Sequence, residues 1–230
     1  MNSQRTSRTC LRWAAFLVLT VPLLTSSLCA ADYTNAISGG YNATNTWGVL
    51  TSPGNTNVAD SVVITNDTIT IQTAYAASND TITINNLGTL STAIAFGLSG
   101  TTNIINSGGR LVLNSDVPTN LLAGAVVRLN GGTLIGNASA PGGLVNVGGS
   151  LEVWASSTIS NTSPNNNSGS TRTLAFDSLN FVVDGTTLTI AQASLSGGGV
   201  LLETLFNSVM VSNNVRSEEH TSELQSPYVI

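Results

Sequence analysis

Asn66-Asp67-Thr68-Ile69-Thr70-Ile71 is followed thirteen residues later by Asn79-Asp80-Thr81-Ile82-Thr83-Ile84, and this duplication decides the fold class. In each copy apolar residues alternate with Thr, the period of a strand that buries one face. The Asn-Asp pair supplies a turn before the strand, because both residues tolerate a left-handed backbone and bond their own main chain. A third relative, Thr187-Leu188-Thr189-Ile190, is entered through Asp184-Gly185.

A second signature overlaps the first. Gly-Gly, one further residue and then Leu opens a short apolar run at Gly108-Gly109-Arg110-Leu111, Gly131-Gly132-Thr133-Leu134 and Gly148-Gly149-Ser150-Leu151, with a weaker copy at Gly88-Thr89-Leu90. The four Leu positions are spaced by 21, 23 and 17 residues. Recurrence at that period predicts an all-β solenoid, a right-handed parallel β-helix whose coils stack because none can bury its own inner face. Leu90, Leu111, Leu134 and Leu151 are then expected to form one ladder. Some eight or nine coils would make a rod of roughly 40 Å. Almost no helix is expected; even the run from Leu121 to Val127 carries Gly124. The alternative is an antiparallel β-sandwich, since a thirteen-residue spacing also suits a strand pair. Irregular coil lengths, Asn and Gly crowded at the turns and a polar insertion from Ser160 to Ser170 favour the solenoid.

Working outward, both ends of the chain read differently from its middle. Residues 1–31 have the layout of a signal peptide: Arg5, Arg8 and Arg12, then an apolar run from Trp13 to Leu24, then small residues. That run is too short to span a bilayer. Cleavage is expected after Ala31, with Cys29 and Ala31 as the small residues, or one residue earlier after Ala30. Acylation of Cys29 is the lesser alternative, because the bulky Leu28 precedes it. Residues 32–215 form the repeat region, with 32–60 as its N-terminal capping part. At the far end, Arg216-Ser217-Glu218-Glu219-His220-Thr221-Ser222-Glu223-Leu224-Gln225-Ser226 resembles the translation of a sequencing-library adapter. Residues 216–230 are therefore set aside as foreign to the fold, and the solenoid is expected to be truncated and to continue past Val215.

Composition excludes several function classes. Residues 32–215 hold seven Asp, two Glu, three Arg (Arg110, Arg128 and Arg172) and no Lys, a net charge of 3 − 9 = −6. So few cations cannot neutralise phosphates, which removes nucleic acid and anionic membrane surfaces as partners. Cys10 and Cys29 both lie in the signal, so the mature region has no thiol for a disulfide or a metal. It also has no stretch approaching twenty apolar residues, so no transmembrane segment is expected in it.

Trp47, Pro53-Gly54 and Asp60 before Val62-Val63-Ile64, together with a signal peptide and Gly-Gly-x-Leu strands, resemble bacterial proteins with autotransporter-associated β-strand repeats. The resemblance covers most of 32–215 and implies an exported parallel β-helical passenger. Such proteins usually end in an outer-membrane barrel or a sorting tail, and neither is visible in this sequence.

Candidate chemistry is sparse. The chain's one His, His220, falls in the adapter-like tail, so residues 32–215 can assemble neither a Ser-His-Asp arrangement nor a His-ligated metal. Asp67 and Asp80 occupy matching places in the two repeat copies and are the weak candidates for a calcium site. Asp177 and Asp184, flanking Leu179 to Val183, read as turn residues before they read as paired catalytic carboxylates. Within Leu151-Glu152-Val153-Trp154, alternation puts Glu152 outside beside Trp154, and Trp154 is the candidate for stacking on a sugar, with Tyr75 as a second. The reading is a non-catalytic exported structural or adhesive repeat protein, secreted or on the outer cell surface, whose ligand is polysaccharide or other surface material. The alternatives are a carbohydrate-binding or polysaccharide-degrading β-helix and, last, an ice-binding face built from Thr68/Thr70, Thr81/Thr83 and Thr187/Thr189.

Overall fold

A computed structural model of the chain describes residues 30–211 apart from 55–58, 75, 115–119, 138–144, 147, 164–170 and 195–200. The chain winds as a parallel β-solenoid. The first coil runs β1 (Asp32–Thr34), β2 (Gly39–Gly40) and a single helical turn, α1 (Thr44–Trp47). The next three coils pair β3 (Ser61–Ile64) with β4 (Thr68–Ile71), β5 (Thr81–Ile84) with β6 (Thr89–Thr92), and β7 (Thr102–Asn106) with β8 (Arg110–Asn114). Each later coil carries a third side: β9 (Val126–Asn130), β10 (Thr133–Asn137) and β11 (Val145–Asn146); β12 (Ser150–Ala155), β13 (Ser157–Ser163) and β14 (Thr171–Phe176); β15 (Ser178–Phe181), β16 (Leu188–Ser194) and β17 (Leu201–Phe206). Last comes β18 (Val209–Val211). The strands stack into a front sheet of eight, β1-β3-β5-β7-β9-β12-β15-β18, a back sheet of seven, β2-β4-β6-β8-β10-β13-β16, and a three-stranded sheet, β11-β14-β17. Consecutive strands of each sheet are parallel, which excludes the antiparallel sandwich. Among the described residues no helix is long and apolar enough to cross a membrane.

Register turns the alternation into ladders. Facing inward on the back sheet, Ile69 pairs with Leu90, Leu90 with Leu111, Leu111 with Leu134, and Leu134 with Ile159. Leu151 is not part of this column, contrary to expectation. It sits on the front sheet between Val127 and Leu179, because its Gly148-Gly149 pair turns the chain into a front strand. A second front column joins Ile64, Ile84, Ile105 and Leu129. These side chains, with Phe176 and Leu174, make one continuous buried core. The polar insertion also begins later than expected, since Ser160 to Ser163 complete β13.

The corner between front and back strands explains the Gly-Gly signature. Gly108 has φ +77°, and a Cβ on Gly109 would lie 2.4 Å from the carbonyl oxygen of Ile84 on the coil before it. One position needs the left-handed region and the next needs the space of a missing side chain. The weaker copy at Gly88 now has its reason: Leu87 holds the place of Gly108, at φ 62° and 67% exposed. The left-handed region costs an ordinary residue roughly 1–2 kcal/mol. Leu87→Gly is therefore expected to raise stability by about 1 kcal/mol, since glycine returns part of that gain as chain entropy. Chemical denaturation checks it, and an unchanged or lowered stability contradicts the corner assignment.

The opposite corner is held by carboxylates. Ala31, Asp60 and Asp80 take equivalent places one residue before successive front strands. Ala31 N donates to Asp60 Oδ1 at 3.0 Å, and Asp60 N donates to Asp80 Oδ1 at 3.0 Å. Further along, Gly149 N donates to Asp177 Oδ2 at 2.7 Å. Each carboxylate thus satisfies an N–H that its own strand pairing leaves open. Over the first coil, Tyr33, Tyr41 and Trp47 pack edge to face, with centroids 5.9 and 5.7 Å apart, and Trp47 Nε1 donates to Tyr41 O at 2.8 Å. Tyr41 is fully buried although it lies on an end coil, so the segment after it covers the core there.

Candidate functional site

Outward positions of the front sheet form a column through Val63, Thr83, Ile104, Arg128, Glu152 and Asn180. Most of it is neutral. Charge enters on β9 and β12, where Arg128 and Glu152 are register partners on adjacent coils. Arg128 Nε donates to Glu152 Oε2 at 2.9 Å, an ion pair on a partly exposed face.

Trp154 joins this pair through a backbone irregularity. Val153 pairs with Leu129 but Ala155 pairs with Asn130, so Trp154 is the extra residue of a β-bulge. A bulge bends its strand and re-aims one side chain. Trp154 stays on the outer side with Glu152 and is 41% exposed. Its Nε1 donates to the same Oε2 of Glu152 at 2.9 Å, while the Arg128 guanidinium carbon lies 5.7 Å from the indole centroid. One carboxylate oxygen therefore fixes both the cation and the ring, and cation–π attraction adds to the hold. Beside them, Ile104, Arg128, Asn130 and Trp154 line an open cleft of about 250 Å³. Asn130 Nδ2 donates to Asn106 Oδ1 at 2.8 Å, and Asn106 Nδ2 to Asn85 Oδ1 at 2.8 Å, so the cleft floor continues an amide ladder across three coils.

A flat, immobilised indole beside fixed polar groups suits an amphipathic ring such as a sugar, whose C–H face stacks while its hydroxyls reach hydrogen-bonding groups. An ion pair on a strand face is otherwise an ordinary surface contact of small energy. The shared fixation of Trp154 distinguishes this one.

The other sequence candidates separate. Asp67 and Asp80 precede strands of different sheets, β4 at the back and β5 at the front, so they are not matching places on adjacent coils. A thirteen-residue step crosses from one face to the other, whereas a full coil takes about twenty. Asp67 accepts from Asn35 Nδ2 at 2.8 Å and Ser38 Oγ at 3.0 Å; Asp80 accepts from Tyr41 Oη at 2.6 Å and from Asp60 N. A cation at either carboxylate would face those N–H and O–H donors. Among the described residues no three of His, Cys, Asp and Glu gather to hold a metal. The same face-crossing step splits the Thr pairs: Thr68/Thr70 and Thr189 are on the back sheet, Thr81/Thr83 on the front. Along the back column, Thr68 and Thr89 are followed by Arg110, which breaks any flat Thr array. Asp177 holds a corner, and Tyr75 lies outside the described residues, as do Cys10, Cys29 and 216–230.

Trp154 and Glu152 were legible as outward neighbours; Arg128 was missed. The available signal was its place 24 residues before Glu152, one coil in a chain that repeats at about that period.

Compared with known proteins, the chain matches no family model, no curated protein and no solved structure. Its functional reading rests on its own residues.

Proposed function

We propose that this chain is an exported, non-catalytic β-solenoid that acts as a structural or adhesive rod, secreted or displayed on the outer cell surface, of the autotransporter-associated repeat type. The observation that carries this reading is the continuous apolar core shared by successive coils, which leaves the outer faces of the described strands for display. Residues 32–215 have no His or Lys, and among their described carboxylates Asp60 and Asp177 serve as corner acceptors, Glu152 pairs with Arg128 and Glu203 accepts from Thr173. Export rests on the signal layout of 1–31. Electron microscopy of the secreted protein is expected to show an elongated particle, and a compact globule contradicts the rod.

The contact surface is the front face, and its ligand is a neutral glycan. Arg128 is already neutralised by Glu152, the rest of its column is uncharged and residues 32–215 carry a net charge of −6, so an anionic polymer gains little there. Trp154 would supply the stacking surface, with Asn130 and the outer guanidinium nitrogens of Arg128 meeting hydroxyls. Trp154→Ala is expected to weaken binding to neutral polysaccharide at least tenfold, about 1.4 kcal/mol, with the fold unchanged by circular dichroism. Binding that survives the substitution, or that is confined to acidic polymers, contradicts this assignment.

A further inference from the structure

We infer that the mature chain begins at Ala31 and that its α-ammonium is the cation held by the buried carboxylate of Asp60. The inference rests on the export reading and adds to it a cut site and a structural use for the new terminus.

Sequence spacing alone favours a cut after Ala31, because that places small residues at Cys29 and Ala31. The fold favours the bond before it. Ala31 is already part of the first front rung: its carbonyl accepts from Ser61 N at 2.9 Å, and its nitrogen donates to Asp60 Oδ1 at 3.0 Å. Ala31 packs against the core, whereas Ala30 is exposed. Removing Ala31 would strip Ser61 of its acceptor and Asp60 of a donor.

The carboxylates supply the second reason. Asp60 is 3% exposed and Asp80 fully buried, and the two are joined through Asp60 N. Arg128 is paired with Glu152 on the outer face and Arg110 is exposed on the back sheet, so neither of these side-chain cations balances Asp60 and Asp80. Buried carboxylates are ordinarily paired, because an unpaired buried charge is costly. Hydrolysis by a membrane-bound signal peptidase breaks the Ala30–Ala31 C–N bond and puts the water oxygen on the Ala30 carbonyl. The nitrogen of Ala31, taking up protons, becomes an ammonium already in contact with Asp60. The remaining Asp60 oxygen accepts from Gly54 N at 3.2 Å, so the carboxylate is anchored on its other side.

The experiment starts from the full chain, produced in a bacterium that exports it, with the product read by intact mass and N-terminal sequencing. A start at Ala31 is expected. A start at Asp32 overturns the inference and leaves export standing, whereas a product retaining Met1 overturns both. These 230 residues contain no Lys, so the α-amine is the sole amine of the product processed from them and an amine acylation rate reports on it alone. Asp60 touches it, Asp32 is the next residue, and Asp80, Tyr41 and Tyr33 join Asp60 in one cluster; none of these is cationic. The midpoint of the acylation rate against pH is expected at least one unit above the ~8 of a free terminus, a tenfold slower reaction at neutral pH. Asp60→Asn is expected to bring that midpoint back. If that variant does not fold, the same midpoint measured on the native and the urea-unfolded wild type decides. Equal midpoints overturn the pairing, since burial without a carboxylate partner moves an amine downward.

Discussion

Gly109→Ala is expected to destabilise the solenoid by about 3 kcal/mol, the upper part of the range for forcing atoms into a filled interior. The ideal Cβ would stand 2.4 Å from Ile84 O and 3.0 Å from Asn106 O. Both obstacles are backbone, so no side-chain rotation relieves the clash. The corner must open, and Arg110 and Thr133, which continue the stack through bonds to Gly88 O and Gly109 O, lose their alignment. Coils touch only their neighbours, so damage at one corner uncouples the coils on either side. Gly185 is the control. Unlike Gly109, it has a positive φ, +74°, and nothing lies within 4 Å of its Cβ position, so Gly185→Ala should cost only the left-handed penalty of about 1 kcal/mol. Thermal and chemical unfolding of both variants check the contrast. Equal losses would show that the close approach at Gly109 costs no more than a left-handed backbone does, and would contradict the clash assigned there.

Stability is also expected to fall as pH rises from about 4 to 6, because of Asp80. Burial is the main reason its pKa is raised from 3.8 to about 6; the bonds from Tyr41 and Asp60 N pull it down, and the neighbouring Asp60 charge pushes it up. Between those values the folded chain keeps a proton that the unfolded chain releases. Stability therefore declines with pH across that window and is level, for this group, on either side. The gap of about two units limits the effect to roughly 3 kcal/mol. Asp80→Asn keeps the shape, and its amide can accept from Asp60 N while donating to Tyr41 Oη. The difference between wild type and variant, measured by denaturation from pH 4 to 8, should grow through the window in favour of the variant. Parallel curves would contradict the assignment.

The strands were readable because alternating Thr and Ile leave little doubt about which side chains turn inward, and Asn66 and Asn79 do adopt the positive φ their turns require, 59° and 65°. The stacking of Leu90, Leu111 and Leu134 followed from a repeat close to one coil in length. What the residues did not reveal was the face on which each strand lies. A half-coil step of thirteen residues and a Gly-Gly pair recurring at either corner look alike in one dimension, and so Leu151 and the Asp67 and Asp80 pair were misplaced. The candidate site was half legible for the same reason. Glu152 and Trp154 are local to one strand, but Arg128 meets them only through register, and the bulge that presents Trp154 depends on the neighbouring strand. Asp60 stood out beside Trp47 and Pro53-Gly54, yet its partnership with Ala31 spans 29 residues and needs the coil to close.

Paired cysteines test the coaxial parallel stack most directly. Thr83 and Ile104 are register partners on adjacent coils, 21 residues apart, whereas Thr70 and Thr83 lie on opposite sheets and would be neighbours only in a hairpin. Strands at ~4.8 Å place Cα atoms within disulfide range. With Cys10 and Cys29 replaced by Ser, a Thr83→Cys/Ile104→Cys protein should form an intramolecular disulfide under mild oxidation, and a Thr70→Cys/Thr83→Cys protein should not. The reverse result would contradict the solenoid and the display role built on it.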